Sequence, residues 1–353
     1  MKDFDPPPSL RNTSAGGGDE KESMNKEIQK FLADNLGVPT WEMTPIKKGG
    51  SDRSFFRVVL PEKSSFIFMH YGTDVAENAC WAGINNFLAD IGVCVPRIIA
   101  QDAHLHFMLL EDLGDTDLWS QRSLPWEQRR NYYFQVLQQI RKLHAFDPAG
   151  LPPGLQLAEG YSEELYHWEH NYFLENFVGA VCRLELSPSY IRDLEQELSD
   201  LIDRLQKIEP SLIHRDLQSQ NIMLKNGQVV LIDFQGMRKG CLFYDLGSLI
   251  CDPYVTLTEQ EQDELISFYY DLMKPSYSRK EFVTNFREAS VQRLMQALGA
   301  YGFLGLKKNK PDFLKHIDNG IRNLLQVATV AKTLPVLKDL ADSCIQRSAK
   351  NNL

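Results

Sequence analysis

Residues 211–236 constrain the fold more than any other part of the chain, and they read SLIHRDLQSQNIMLKNGQVVLIDFQG. Asp216 is followed five residues later by Asn221 and, after twelve more residues, by Asp233. Between the last two, short apolar runs surround an Asn-Gly dipeptide, a pattern that is typical of a β-hairpin. We therefore expect the hairpin to bring Asn221 and Asp233 together, close to the loop that carries Asp216.

These three residue types suit phosphoryl transfer from ATP, which depends mainly on positioning and charge neutralisation. A carboxylate beside an acceptor hydroxyl orients it and takes its proton, a role that we assign to Asp216. Mg²⁺ prefers hard oxygen ligands and keeps several waters, so one carboxylate and one amide suffice beside phosphate groups. Asp233 and Asn221 are the predicted metal ligands, and ATP and Mg²⁺ are the predicted cofactors.

The remaining pattern divides the chain into a β-rich part and a helical part. Two β-rich runs, a helix and two further strands precede residue 111, and the chain is mostly helical beyond residue 126. This order predicts an α+β fold with two lobes. The expected divisions are a disordered tail at 1–23, an N-terminal nucleotide-binding lobe at 24–112 and a helical catalytic and acceptor-binding lobe at 113–353.

Charge and composition exclude several classes of partner. The chain has 38 Lys and Arg against 47 Asp and Glu, a net charge of −9, which argues against binding nucleic acid or an anionic membrane. No apolar run reaches the roughly 18 residues of a membrane span. Six widely spaced cysteines are typical of reduced thiols, so we expect a cytoplasmic protein. The oligomeric state stays open, with a monomer slightly favoured.

With these motifs, the chain resembles the protein-kinase-like superfamily and, within it, the aminoglycoside phosphotransferase and choline kinase group. The resemblance implies a phosphate-covering loop before the first hairpin strand, an adenine-binding hinge, an ion-pair glutamate on the helix after the hairpin, and structural residues that brace the catalytic loop. The residues that match these features are Gly49, Gly50, Ser51, Asp52 and Arg53 in the loop, Glu111 and Leu113 at the hinge, Glu77 on the helix, and His214 and Asp245 as braces.

The chain departs from the family pattern at one position. The family commonly has a lysine on the second hairpin strand, aimed at the phosphates, but this strand reads Phe66, Ile67, Phe68, Met69, His70. We expect Arg57 on the preceding strand or Arg53 in the loop to neutralise the phosphates instead. Glu77 is then left without its usual partner.

The acceptor is predicted to be a small molecule, because Asp245 follows Asp233 by only twelve positions and a protein kinase needs a longer segment there. The sequence segments around Asp112 and Asp252 are similar to those of bacterial anomeric sugar kinases, which phosphorylate C1 of N-acetylmuramate and N-acetylglucosamine in cell-wall recycling. The resemblance therefore implies a sugar hydroxyl as acceptor, and the net charge given above argues against a nucleic-acid or membrane partner.

Alternatives remain open at this point. Gln218, Trp168, Glu169 and Tyr172 are candidate acceptor-binding residues, although Trp168 and Tyr172, four residues apart, would equally suit core packing. An aminoglycoside or choline kinase is a second hypothesis, and it would require acidic groups or an aromatic cage around a cationic acceptor. The missing strand lysine motivates a third, a nucleotide-binding module without catalytic activity.

Overall fold

The computed structural model describes residues 18–46, 53–72 and 76–351. The N-terminal lobe is a five-stranded antiparallel sheet with strand order β1-β2-β3-β5-β4 and one helix on each face. Its elements are α1 (Gly18–Leu36), β1 (Glu42–Ile46), β2 (Ser54–Val59), β3 (Ser65–His70), α2 (Ala76–Asp90), β4 (Ile98–Asp102) and β5 (Phe107–Glu111).

The two faces of this sheet bury different clusters because successive side chains of a strand point to opposite sides. On one face, Phe31 of α1 packs against Phe68 of β3 and Phe107 of β5. On the other face, Met69 of β3 belongs to the main core, which it shares with Trp81 of α2. Helix α2 therefore lies on the cleft side of the sheet.

Helix α1 begins at Gly18, inside the segment that we expected to be disordered up to residue 23. The stretch Asp19, Glu20, Lys21, Glu22 is rich in residues of good helix propensity, which offsets its low hydrophobicity once the apolar face that follows packs on the sheet. The rest of the predicted tail, residues 1–17, lies outside the described residues.

The C-terminal lobe is mainly helical, with two small antiparallel ribbons, β6-β9 and β7-β8. Its elements are α3 (Trp126–His144), α4 (Glu163–Phe173), α5 (Pro188–Gln206), β6 (Ser211–Ile213), β7 (Ile222–Lys225), β8 (Gln228–Leu231), β9 (Arg238–Gly240), α6 (Leu242–Ile250), α7 (Glu259–Met273), α8 (Arg279–Gly302), α9 (Ile317–Ala331) and α10 (Pro335–Asn351). Among the helices of the described ranges, none is long and apolar enough to cross a membrane.

The lobes are joined at residues 111–118, where the β7-β8 hairpin is fastened to the hinge. The backbone N–H of Leu118 donates to Ile222 O at 2.8 Å, and that of Leu224 donates to Thr116 O at 2.8 Å. Lys225 Nζ donates to a carboxylate oxygen of Glu111 at 2.6 Å and to Asp112 O at 2.8 Å. The hairpin that carries the predicted metal site is therefore tied to the hinge.

The α+β two-lobe prediction is confirmed, and most predicted elements lie within a few residues of their expected positions. The differences have local causes. The helix expected over 161–180 ends as α4 at Phe173 and continues as a π-helical turn, Leu174–Gly179. Strand β1 was not predicted because it contains Pro45, a residue that argues against a central strand. Proline is tolerated at the edge of the sheet, which is the position that β1 occupies.

Candidate active site

The catalytic loop, residues 214–221, connects β6 to β7 and is held by a buried carboxylate of α6. Asp245 accepts hydrogen bonds from the backbone N–H of His214 at 2.7 Å and from that of Arg215 at 2.8 Å. Arg215 has a positive φ of 79°, a conformation that costs energy for a residue with a side chain and persists only when its surroundings impose it. Asp245 supplies that constraint just before Asp216.

Asp245 is itself fixed from the opposite side by α3. His144 Nε2 lies 3.0 Å from a carboxylate oxygen of Asp245, and His144 Nδ1 lies 2.6 Å from the hydroxyl of Tyr269. All three side chains are buried. His214, predicted as a second brace, is also buried and contributes its backbone N–H to this arrangement, whereas neither of its ring nitrogens has a hydrogen-bond partner.

The turn that carries Asn221 is a short 3-10 helix, Ser219–Asn221, and a second buried carboxylate holds its start. Asp252 accepts from the backbone N–H of Ser219 at 2.7 Å and from that of Tyr254 at 2.9 Å. The side-chain nitrogen of Asn221 donates to Asp216 O at 3.0 Å. This bond uses the amide nitrogen, so the amide oxygen is the atom of Asn221 suited to bind a cation.

Asp233 is brought to Asn221 by the hairpin between them. The backbone N–H of Ile232 donates to Asn221 O at 3.0 Å, directly before Asp233, whose φ is +64°. The side chain of Asp233 is 38% exposed to the cleft. The next residue, Phe234, is buried against Trp81 of α2 with ring centroids 5.0 Å apart. The three predicted residues Asp216, Asn221 and Asp233 therefore meet at the junction of the lobes.

Two arginines set the charge of Asp216. Arg215 Nη1 donates to Asp216 Oδ2 at 2.5 Å, and Arg293 Nη2 approaches Oδ1 at 3.5 Å. Burial by itself would raise the pKa of Asp216, but Arg215 and Arg293 outweigh it, and the net pKa lies below the ordinary value. Its side chain is still 23% exposed, so an ionised carboxylate faces the cleft.

The donor set fits a magnesium–nucleotide complex better than a metal held by protein alone. Within the described residues, no group of three or more His, Cys, Asp or Glu side chains could hold a metal ion. Asp233 offers one exposed carboxylate and Asn221 one amide oxygen, and both are hard ligands. Because Mg²⁺ usually completes its shell with waters and substrate phosphates, this small set suits it.

The described residues of the predicted nucleotide site separate into two groups. Arg57 of β2 donates to both oxygens of Asp112 at 2.7 and 3.2 Å and to both of Asp115 at 2.9 and 3.0 Å. It therefore lies at the hinge with Glu111 and the buried Leu113. The second group is Arg53, which reaches Asp233. Gly49, Gly50, Ser51 and Asp52 lie outside the described residues, as does the side chain of Glu77.

The candidate acceptor residues lie on α4 and in the catalytic loop. Trp168 and Tyr172 stack with centroids 4.8 Å apart, and Tyr172 packs against Phe303. Glu169 is only 1% exposed, and it accepts from the hydroxyls of Tyr161 and Tyr244 at 3.0 and 3.1 Å and from Gln292. Glu169 thus lies in the interior.

Gln218 lies at the start of the 3-10 turn with its side chain half-buried.

Sequence reasoning did not identify Arg293 or the role of Asp252. Arg293 is nearly buried on α8, donates to Ser248 Oγ at 3.1 Å, and lies beside Asp216 across 77 positions of sequence. No motif marks it, because α8 is buried on most of its surface and one charged residue there carries no periodic signal. Asp252 entered the prediction only as part of a segment similar to the family. An Asp followed by Pro and Tyr is nevertheless a sequence signal for a turn in which the carboxylate accepts a backbone N–H two residues on.

The comparison with protein families finds one matching description. A model described as the phosphotransferase enzyme family matches residues 42–279. Two curated relatives are named N-acetylmuramate/N-acetylglucosamine kinase. The one from Pseudomonas aeruginosa is 25% identical over 334 residues, or 88% of this chain and 90% of its own length. The one from Neisseria meningitidis is 25% identical over 285 residues, or 78% of this chain and 82% of its own.

Solved structures with the same fold include a choline kinase from Cryptosporidium parvum, with a TM-score of 0.60 at 14% identity, covering 90% of this chain and 99% of that one. An aminoglycoside phosphotransferase with bound ADP has a TM-score of 0.57 at 13% identity, covering 88% and 98%. These similarities confirm the predicted kinase-like fold.

Proposed function

Because the chain belongs to the phosphotransferase enzyme family, we propose that it is an ATP- and Mg²⁺-dependent kinase of an amino sugar. The proposed reaction transfers a phosphoryl group to the anomeric hydroxyl of an acceptor of the N-acetylmuramate or N-acetylglucosamine type. Its curated relatives carry those two substrates in their names, and they align with most of the chain.

One observation carries the proposal: the catalytic loop and the β7-β8 hairpin bring Asp216, Asn221 and Asp233 to one place. The Asn221 side chain is bonded to Asp216 O, and the backbone beside Asp233 is bonded to Asn221 O. Two separate buried carboxylates, Asp245 and Asp252, hold the loop at its two ends. Such preorganisation is what phosphoryl transfer requires of the protein.

In the proposed mechanism, Asp233 and the amide oxygen of Asn221 hold Mg²⁺ at the phosphates. Mg²⁺ supplies neutralisation of the charge on the transferred group. The hinge at Glu111 and Leu113 would bind the adenine, and Lys225 ties the hairpin that carries the proposed metal ligands to this hinge.

Asp216 orients the acceptor hydroxyl and receives its proton. The carboxylate is ionised at neutral pH because Arg215 and Arg293 lower its pKa, so it is always ready to accept a hydrogen bond. A lowered pKa also makes it a weak base, and orientation of the hydroxyl is therefore its larger contribution. As the acceptor oxygen bonds to the γ-phosphorus, the bond from that phosphorus to the bridging oxygen of ATP would break and ADP would leave, while the hydroxyl proton passes to Asp216.

The charges around Asp216 favour a sugar over a cationic acceptor. Arg215 and Arg293 both touch Asp216, so an ammonium group placed there would face two guanidinium groups. Burial raises the pKa of Glu169, the nearby acid that might have balanced them. Choline and aminoglycosides need acidic groups or an aromatic cage, whereas sugar hydroxyls bind arginine and tyrosine readily.

The test is to incubate the protein with MgATP and a panel of sugars, amino alcohols and aminoglycosides and to record ³¹P spectra of the products. We expect one phosphomonoester signal, from an N-acetylated amino sugar, with phosphorus coupled to the anomeric proton. Asp216→Asn is the control and should form product at a rate lower by roughly 10²-fold or more while still binding nucleotide. Product from choline or an aminoglycoside alone would overturn the sugar assignment, and nucleotide binding without turnover on any acceptor would favour an inactive module.

A further inference from the structure

We propose that Arg53 replaces the missing strand lysine as the cation for the nucleotide phosphates and that Asp233 holds it when no metal is bound. This inference rests on the proposed function and specifies how the same site is assembled. The observations that carry it are the polarity of β3, the register of β2 with β3, and the contacts of the Arg53 guanidinium.

Strand β3 has no side chain that could take the role of a lysine in the cleft. Met69 is fully buried in the main core, and Ile67 packs against the same core. His70 contacts Phe107 on the opposite face, and burial, together with the neighbouring His106, lowers its pKa, which keeps it neutral at pH 7. The charge of a triphosphate must therefore be met by a group from another element.

Strand β2 and the residue just before it supply two cations on the cleft face of the sheet. Phe55 pairs with Met69 and Arg57 pairs with Ile67, and side chains of directly opposed residues lie on one face. Arg53 precedes Phe55 by two positions, so the alternation places it on the same face at the end of the strand. The cleft face thus has Arg57 towards the hinge and Arg53 towards the catalytic loop.

The contacts of these two arginines distinguish their roles. Arg57 is engaged by the two hinge aspartates, Asp112 and Asp115. Arg53 Nη2 instead donates to Asp233 Oδ1 at 2.8 Å, and its Nη1 donates to Gln235 Oε1 at 2.9 Å. The guanidinium crosses from the N-terminal lobe to the metal-site loop and is only 6% exposed.

Gln235 hydrogen-bonds to both partners of this ion pair, because its side-chain nitrogen also donates to Oδ1 of Asp233 at 2.8 Å. Oδ1 therefore accepts two hydrogen bonds, one of them charged. A divalent cation that uses this oxygen must displace the guanidinium, so metal and Arg53 compete for Asp233.

Displacement leaves Arg53 next to the phosphates that arrive with the metal. An arginine stays charged at any pH and can bind phosphate oxygens with two parallel hydrogen bonds. The guanidinium therefore pairs with Asp233 in the free protein and with phosphate in the complex, so it has an anionic partner in both states. The free protein avoids an exposed, unbalanced acid at the metal site, and the metal and the nucleotide bind cooperatively.

The test uses Arg53→Gln and reads two equilibrium binding constants rather than turnover. Removing the cation should weaken binding of MgADP by about 10- to 100-fold, the range of a charge-assisted hydrogen-bond pair, as measured by calorimetry. Without nucleotide, the same change should strengthen Mn²⁺ binding, measured from the electron paramagnetic resonance signal of free Mn²⁺, because the competitor is gone. A residue that merely supports the fold would weaken both.

Two further variants complete the design. Arg53→Lys keeps a cation and should recover most of the MgADP affinity. Arg57→Gln is the matched comparator on the same face of the sheet, and it should leave Mn²⁺ binding without nucleotide unchanged, because Arg57 pairs with Asp112 and Asp115 and not with Asp233. The inference is overturned if Arg53→Gln binds MgADP as tightly as the unaltered protein, or if it binds Mn²⁺ more weakly. Failure of the unaltered protein to bind MgADP would instead overturn the proposed function.

Discussion

The catalytic loop and the cleft face of the N-terminal sheet meet at one site, but different kinds of contact hold them. Buried carboxylates hold the loop, and they accept backbone N–H groups from His214, Arg215 and Ser219. Side chains at the cleft hold the sheet face, where Arg53 pairs with an aspartate that is 38% exposed. The first kind of contact is buried and involves the backbone, whereas the second joins side chains at the cleft and can exchange one anion for another. In the proposed site, the loop of Asp216 and Asn221 is therefore positioned by the fold, and the contacts of Asp233 and Arg53 are completed by the ligand.

The largest effect should come from Asp245→Ala, which removes one of the buried carboxylates that hold the catalytic loop and should lower the stability of the protein. The substitution leaves the backbone N–H groups of His214 and Arg215 and the ring of His144 without Asp245 as partner, which should lower the free energy of unfolding by about 3–5 kcal/mol. Urea unfolding measures this change. Asp318→Ala, which removes an exposed pair with Arg322, is the control and should cost no more than about 0.5 kcal/mol. Equal losses would mean that Asp245 is no brace.

Asp216→Asn should change the free energy of unfolding less than Asp245→Ala does, but it should change kcat strongly. The amide keeps the shape of the side chain but cannot take a proton, so kcat should fall roughly 10²-fold or more. The affinity for MgADP should stay within about twofold, because the carboxylate faces the acceptor. Initial rates and calorimetry on the same preparation separate the two quantities, and full activity of the variant would refute the assignment of the base.

Asp252→Ala tests the second buried carboxylate, which positions the turn of Asn221 without touching the metal. Loosening this turn should raise the Mg²⁺ concentration needed for half-maximal activity by about tenfold, the lower end of the effect seen for groups that orient metal ligands. Maximal activity at saturating Mg²⁺ should be largely restored. A loss of kcat that Mg²⁺ cannot restore would place Asp252 in another role.

The smallest effect is expected from pH. Because the pKa of Asp216 lies below its ordinary value of 3.8, its ionised form persists above that value and is lost only as the pH falls through the lowered pKa. Between about pH 5 and 8, this group should therefore leave kcat unchanged. The pH profile of kcat should show no acidic inflection in this range that depends on Asp216. Such an inflection would show that the arginines do not control the carboxylate.

Sequence reasoning was most successful where function depends on local chain geometry. The sequence predicts a hairpin with an Asn-Gly turn between Asn221 and Asp233, and the structure contains this hairpin, with Ile232 hydrogen-bonded to Asn221. The order of helices and strands followed from hydrophobic periodicity for the same reason. These features require no knowledge of contacts between distant parts of the chain.

Contacts between distant elements could not be predicted in this way. Arg293 reaches Asp216 across 77 positions, and Arg53 reaches Asp233 across 180. Both pairings depend on how helices and lobes pack, which no single-chain pattern encodes. The same limit applies to Glu169, whose burial depends on Tyr161, Tyr244 and Gln292 from three other segments.

The contact between Phe234 and Trp81 gives the protein a built-in optical signal. Trp81 is 4% exposed on α2 and touches the ring that directly follows Asp233 in the chain. We expect exchange of Arg53 for a metal at Asp233 to move the adjoining ring of Phe234, and indole emission responds to such changes in its surroundings. Fluorescence of the unlabelled protein, compared with that of Trp81→Phe, would therefore follow occupation of the cleft in real time.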